Sequence, residues 1–202
     1  MLIISTEQVP KSEQHTHAHS LLSMGLREYG IDYVMGETPV VFGEHGKPAL
    51  AEHPEVRFNI SHADGIAAVA VSEHECGVDC ERVREYDPRV MRRVCSEAEQ
   101  AMIKAASKSE RALLFFRLWT LKEAYVKALG SGLAFPLREA EFAFEGDRIQ
   151  TKLSDCAFTQ YVINGKFAVA VCELSKARGS NKLYYLSMQQ KIFFDKSKPI
   201  SE

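Results

Sequence analysis

The chain has 202 residues, of which 46% are hydrophobic and 26% charged, with a formal net charge of −2. That is enough apolar material for a substantial core, and the near-neutral balance argues against general nucleic-acid binding. No apolar run reaches the roughly 18 residues of a membrane-spanning helix, and the opening MLIISTEQVPKSEQ has neither a basic start nor a long apolar stretch, so a cytoplasmic protein is expected.

In chain order, SLLSMGLREYG (20–30) has apolar positions at helical spacing and ends at a glycine, which predicts a helix. RFNIS (57–61) and IAAVAVS (66–72), joined by the turn-like HADG, read as a hairpin, with a third strand over 77–83. Ser96 followed three residues later by Glu99 is the pattern of a capping box opening a helix. A longer helix is expected over 109–129, stopped by Gly130. Further strands are predicted over 141–145, 148–153, 158–164 and 167–174. IAAVAVSE (66–73) is echoed by FAVAVCE (167–173), each after a short turn and each downstream of a helix. A helix-then-hairpin unit used twice predicts an α+β fold of two similar halves, residues 1–84 and 85–175, with a ligand cleft at their seam. Residues 176–202 read as a partly disordered C-terminal extension.

The five cysteines are odd in number and form no C-x-x-C pair, so reduced thiols are expected. A zinc site from His74, Cys76 and Cys80 lacks a second ligand pair, and HTHAH (15–19) reads more readily as a polar approach to the first helix than as a chelator. Charge is distributed unevenly. From Arg82 to Arg117 there are nine Lys/Arg against five Asp/Glu, a basic stretch in an acidic chain that suggests an anionic partner or, more blandly, a solvated helical face.

Three short stretches carry chemistry. In ECGVDCERV (75–83), Asp79 and Glu81 are two apart on a strand and therefore share a face, about 6.6 Å apart along the chain. Like charges so placed repel unless water or a cation compensates them, so the segment is either a water-facing edge or a divalent-metal site. In WTLKEAYVK (119–127), Trp119, Glu123 and Lys127 fall at i, i+4 and i+8 on one helical face. An i, i+4 Glu–Lys pair is commonly mere surface support, but the aromatic on the same stripe argues for a packed or cleft-facing surface. In FNISH (58–62), Ser61 and His62 are adjacent and point to opposite strand faces, which rules against a nucleophile–base pair. At a strand end both can instead donate hydrogen bonds to phosphate oxygens, and Gly46-Lys47-Pro48 adds a cation on a rigid turn. There is no P-loop, G-x-S-x-G or H-E-x-x-H sequence, and the glycines at 130 and 132 follow a helix rather than open one.

GKP (46–48), FNISH (58–62), GVDCE (77–81) and WTLKEAYVK (119–127), in this order and spacing, resemble the phosphopantetheinyl transferases. The resemblance continues through GSGLAFPL (130–137) and spans roughly Ser20 to Leu174; the length is that of the Sfp type, a pseudo-dimeric monomer with its site between the halves. It implies transfer of the 4'-phosphopantetheine arm of coenzyme A to a serine of an apo carrier protein, with release of 3',5'-ADP. It implies Mg²⁺, with Mn²⁺ as a substitute, held by Asp79, Glu81 and Glu123, and Lys127 neutralising phosphate charge. The catalytic set is then Glu123, Lys127 and Asp79, and Lys47, Pro48, Ser61, His62 and Lys127 hold coenzyme A.

The departures are local. Only 45 residues precede Gly46, and His19 stands where longer members place an arginine for the 3'-phosphate, leaving His19, Lys11 or Arg27 for that contact. Ala63 stands where a small hydroxyl residue is common. The carrier is expected to dock near Arg84, Arg89, Arg92 and Arg93. Two other readings use the same residues: a metal-dependent nucleotide phosphohydrolase with water as acceptor, and a non-catalytic carrier-binding relative.

Overall fold

The computed structural model describes residues 1–146, 148–154 and 156–174, and the backbone of 183–187 and 190–194. Its elements run β1 (Leu2–Ser5), α1 (Gln14–Arg27), β2 (Val40–Phe42), β3 (Pro48–Leu50), β4 (Arg57–Ala63), β5 (Ile66–Ser72) and β6 (Cys76–Arg82). There follow α2 (Pro88–Val94), α3 (Glu97–Ala105), α4 (Arg111–Leu129), β7 (Phe142–Glu145), β8 (Arg148–Thr151), β9 (Ala157–Ile163), β10 (Phe167–Glu173), β11 (Leu183–Ser187) and β12 (Gln190–Phe194). No helix among the described residues is long and apolar enough to cross a membrane.

The two echoing strands explain the architecture. β5 and β10 are buried at every position. In β5, Ala67, Val69 and Val71 pack towards α1, while Ile66, Ala68 and Ala70 face the opposite way. In β10, Ala168, Ala170 and Cys172 pack towards α4, while Phe167, Val169 and Val171 meet the inward face of β5. The result is four layers, α1, a sheet ordered β12-β11-β1-β5-β4, a sheet ordered β6-β10-β9, and α4. A strand covered on both faces reads as an unbroken apolar run, which is why these two lack a polar alternation.

Several strands were not visible in the sequence. β1 is only four residues long, and it pairs antiparallel with β5 and parallel with β11. The β2–β3 hairpin is shorter still, with three residues in each strand. The expected third strand of the first hairpin, β6, joins the other sheet: its backbone pairs with β10, Asp79 opposite Ala170 and Gly77 opposite Cys172. Helix α1 starts at Gln14, so HTHAH lies within it rather than before it. The predicted capping box at α3 is present with both bonds, Ser96 N donating to Glu99 Oε2 at 2.7 Å and Glu99 N donating to Ser96 Oγ at 3.2 Å. The expectation of partial disorder over 176–202 falls largely outside the described residues; within that span the backbone of β11 pairs with β12.

Candidate active site

The site starts from one glycine. β6 turns Cys76, Val78 and Cys80 into the apolar layer between the sheets, so Gly77, Asp79 and Glu81 face α4. A Cβ on Gly77 would run into the α4 backbone at Ala124 O and Ala128 N and lie 2.9 Å from Lys127 C. With only a hydrogen there, helix and strand come close enough for α4 side chains to reach over β6.

Lys127 uses that closeness. Its ammonium donates to Asp79 Oδ1 at 2.6 Å, to Ser61 Oγ at 3.1 Å and to Val78 O at 3.1 Å. Ser61 donates to the same Asp79 oxygen at 3.0 Å and accepts from Cys80 N at 3.2 Å, and Asn59 Oδ1 accepts from Val78 N at 2.9 Å. The F-N-x-S-H, G-x-D-x-E and W-x-x-K-E-A segments thus meet at one point, contributed by β4, β6 and α4. Asp79 is buried, and burial pushes its carboxyl above the usual carboxylate range, against the opposing pull of Lys127 and Ser61. Its second oxygen, Oδ2, is a buried acceptor without a hydrogen-bond partner among the described residues.

Glu123 sits one turn before Lys127. Burial raises its pKa, Asp79 and Glu81 raise it further, and Lys127 lowers it, so the three acids feel one another. They do not converge: among the described residues no three His, Cys, Asp or Glu side chains form a group able to hold a metal ion. Asp79 is held by Lys127, and Glu81 by Arg84 at 2.8 Å. The donor chemistry nonetheless fits a hard divalent cation, since all three are carboxylates and one buried carboxylate oxygen is unused.

Beside this point lies a cleft of about 860 Å³. Trp119, Glu123, Val126 and Lys127 form one wall, Lys47 and Pro48 with His45 another, and Phe135–Arg138 with Val90 and Arg93 a third. The volume is that of a site for a sizeable small molecule. Trp119, Glu123 and Lys127 therefore share the cleft-facing side of α4. Lys47 is less free than its place on a turn suggests: its ammonium donates to Glu75 Oε2 and to Ala128 O, each at 2.7 Å, clasping the β2–β3 turn to the end of α4. Pro48 lines the cleft beside it.

His62 and His19 lie on the α1 side. The His15 and His19 rings are 4.5 Å apart, His15 and His62 6.4 Å, and His19 Nδ1 pairs with Tyr33 Oη at 2.7 Å. Burial, then His15, lowers the pKa of both His19 and His62. Of the four arginines singled out by charge, Arg84 and Arg89 are paired, with Glu81 and Asp87, whereas Arg93 reaches the cleft. Asn59 and Arg138 are among the cleft residues that sequence reasoning passed over. Asn59 was legible as a buried polar residue inside an apolar strand; Arg138 had no signal beyond its charge.

A buried carboxylate bonded to an ammonium and a hydroxyl, with a further carboxylate on the wall of a large cleft, is an arrangement suited to a phosphate-bearing ligand. The sequence profile of the 4'-phosphopantetheinyl transferase superfamily matches residues 75–172, which include Gly77, Asp79, Glu81, Glu123 and Lys127. The chain is 28% identical to the 4'-phosphopantetheinyl transferase Sfp of Bacillus subtilis over 85% of its own length and 83% of that protein's. It is 35% identical to the 4'-phosphopantetheinyl transferase gsp of Aneurinibacillus migulanus, over 54% of this chain and 44% of that one. Among solved structures, a holo-(acyl-carrier-protein) synthase from Bacillus anthracis in complex with CoA (3',5'-ADP) covers 51% of this chain and 96% of its own, at 20% identity and a TM-score of 0.44. The chain is thus similar to the 4'-phosphopantetheinyl transferases, the superfamily's profile matching just under half of it.

Proposed function

We propose that the protein is a 4'-phosphopantetheinyl transferase that moves the phosphopantetheine arm of coenzyme A onto a serine hydroxyl of an apo carrier protein and releases 3',5'-ADP. The observation that carries this reading is the Lys127–Asp79–Ser61 cluster, built from three separate segments at the edge of the cleft, with Asp79 Oδ2 left unpartnered. The new bond joins the serine oxygen to the phosphorus attached to pantetheine. The bond from that phosphorus to the 3',5'-ADP oxygen breaks, and the serine proton must leave.

Asp79, Glu81 and Glu123 would hold Mg²⁺, or Mn²⁺ in its place, which when bound neutralises pyrophosphate charge and fixes its orientation. Lys127 supplies a positive charge at the cleft wall without needing to be reoriented, because Asp79 and Ser61 already fix it. Lys47, Pro48, Ser61 and His62 serve the donor's phosphates and adenosine end, and His19, on the neighbouring helix, is the candidate for the 3'-phosphate. Glu123 lines the cleft itself, and its raised pKa suits a group that accepts the serine proton. The carrier docks on the basic face that includes Arg84, Arg89, Arg92 and Arg93, and the enzyme works as a monomer in the cytoplasm.

The test is mass spectrometry of apo carrier proteins incubated with the protein, coenzyme A and Mg²⁺. A mass gain equal to one phosphopantetheine is expected. No gain across acyl and peptidyl carriers, or release of 3',5'-ADP at the same rate without any carrier, would defeat the reading.

A further inference from the structure

Next to Glu123 on α4, Lys122 is fully buried, and so is its partner Glu99 on α3. A buried ammonium is expensive unless it is both paired and hydrogen-bonded. Here it is both. Lys122 Nζ donates to Leu137 O at 2.9 Å and to Ala140 O at 2.5 Å, and pairs with Glu99 Oε2 at 2.9 Å. Glu99 is equally engaged: Oε2 takes the Ser96 amide that closes the capping box, and Oε1 takes the Phe142 amide at 2.9 Å. One ion pair thus joins α4, the start of α3, the 3₁₀ turn at Leu137–Glu139 and the first residue of β7.

The segment held this way is a wall of the cleft. Phe135, Pro136, Leu137 and Arg138 line it, as does the turn that carries His45 and Lys47. Between Gly130 and Phe142 the chain has only two 3₁₀ turns, at Gly132–Ala134 and Leu137–Glu139, and no sheet ladder to fix its distance from α4. Its carbonyls at Leu137 and Ala140 need donors, and one lysine answers both. An apolar residue would fill the volume but leave two carbonyls without partners, so a purely packing role does not explain a lysine here.

We propose that Lys122, locked by Glu99, is a positioning residue that sets the spacing between the 135–138 wall and the Glu123 and Trp119 side of the cleft. It does not touch the substrate. It acts by holding the backbone against which the substrate is fitted, and its consequence for turnover rests on the transferase reading above. A wall displaced by about 1 Å would cost on the order of a hundredfold in rate.

The experiment uses the double variant Lys122→Met with Glu99→Gln, which removes both charges together and so avoids an orphaned one. The control is Leu22→Ala, a core truncation in the other half of the molecule. For the double variant, kcat/KM for the carrier is expected to fall about a hundredfold, and the amides of Glu139 and Glu141 to exchange faster with solvent. Emission from Trp119, the single tryptophan, should shift. The control should lose as much melting temperature while keeping its kcat/KM and its tryptophan spectrum. If both variants lose activity in step with melting temperature and Trp119 emission does not move, the pair is only core filling and the proposal fails. Exchange and emission are read without any carrier, so absence of transfer by the wild type would defeat the functional reading and leave this one standing. Should the double variant not fold, exchange in the wild type decides. The Phe142 amide must be protected to the level of the β10 amides, and exchange at the rate of the amides around Ala134 overturns the lock.

Discussion

Asp79 shows what a single buried carboxylate can be asked to do. It is 6% exposed, and both neighbours that bond its carboxylate depend on it: Lys127 loses its counter-ion and Ser61 its acceptor if the carboxylate goes. From the sequence, Asp79→Ala would remove a metal ligand and leave the fold largely intact if the site were exposed. The structure alters that expectation, because breaking one side of a buried ion pair typically costs about 3–5 kcal/mol. Asp79→Ala should therefore abolish transfer and also lower stability by about 3 kcal/mol in urea unfolding. Asp79→Asn, which keeps the shape and an acceptor for Lys127, should lose transfer with a smaller stability change. Equal stability loss in the two variants would argue against the pair as described. A second expectation concerns acid. His19 and His62 have lowered pKa values because burial and the neighbouring His15 oppose their charging; Lys127 adds to this at His62, while His19 is tied to Tyr33. With the folded pKa below the unfolded one, the unfolded chain binds protons first as pH falls below the ordinary value of 6.5. Melting temperature should decline as pH is lowered through that range, and His15→Asn, by removing the shared repulsion, should reduce the decline. A melting temperature flat across the histidine range would contradict it.

The element that matters most is the α4–β6 contact, and it depends on Gly77. A methyl group there has no room against the Ala124 carbonyl and the Ala128 amide, and neither is the end of a flexible side chain that could swing away. Gly77→Ala should push α4 off the strand, at a cost of 3 kcal/mol or more (an order-of-magnitude figure for backbone overpacking). It should also abolish transfer at temperatures where the variant is still folded, because Lys127 would no longer reach Asp79. An active Gly77→Ala enzyme of near wild-type melting temperature would show that the close approach is not needed. The position also explains what could be read from the sequence. Asp79, Glu123 and Lys127 were legible as candidates because their chemistry is tied to fixed spacings on a strand and a helix, whereas the close approach at Gly77 was not, since the helix that meets it lies about 50 residues away in the chain. The helices over 97–105 and 111–129, and strands β4 to β10, were legible through capping, periodicity and turn residues. β1, β2 and β3 were not, since strands of three or four residues hold too few positions to display a period. The partner of β6 was hidden for another reason: a strand's sequence records which faces are buried, not which neighbour takes its hydrogen bonds. Lys122 was quoted inside its motif but unreadable as a buried group, because nothing local distinguishes it from a surface lysine beside Glu123.

At the scale of the whole molecule, four layers leave one long seam where strands β4 and β6 meet α4, and the basic stretch from Arg82 to Arg117 begins where that seam opens. Net positive charge alone does not identify a docking face. Arg82 pairs with Asp64, Arg84 with Glu81 and Arg89 with Asp87, the last through an exposed fork that also caps α2. Such surface pairs contribute little to stability, about 0–1 kcal/mol, but each cancels much of the field its arginine could project. Arg93 differs. It lines the cleft beside Val90, which is 37% exposed, and no counter-ion meets it among the described residues. An acidic partner approaching the cleft would feel Arg93 more than Arg89, because the Arg89 charge is already paired with Asp87. The prediction is a ranking rather than a uniform effect. Arg93→Glu should raise the carrier KM about tenfold at low salt and flatten its dependence on ionic strength, as expected for a charge that steers encounter. Arg89→Glu should do markedly less alone, and the double reversal with Arg93→Glu little more than Arg93→Glu itself. Coenzyme A affinity, measured by calorimetry without carrier, separates docking from donor binding and should be unchanged in all three. If Arg93→Glu weakens coenzyme A instead, that arginine belongs to the donor's part of the cleft. If it leaves the low-salt carrier KM untouched, the carrier approaches from another side and the basic run is a solvated surface.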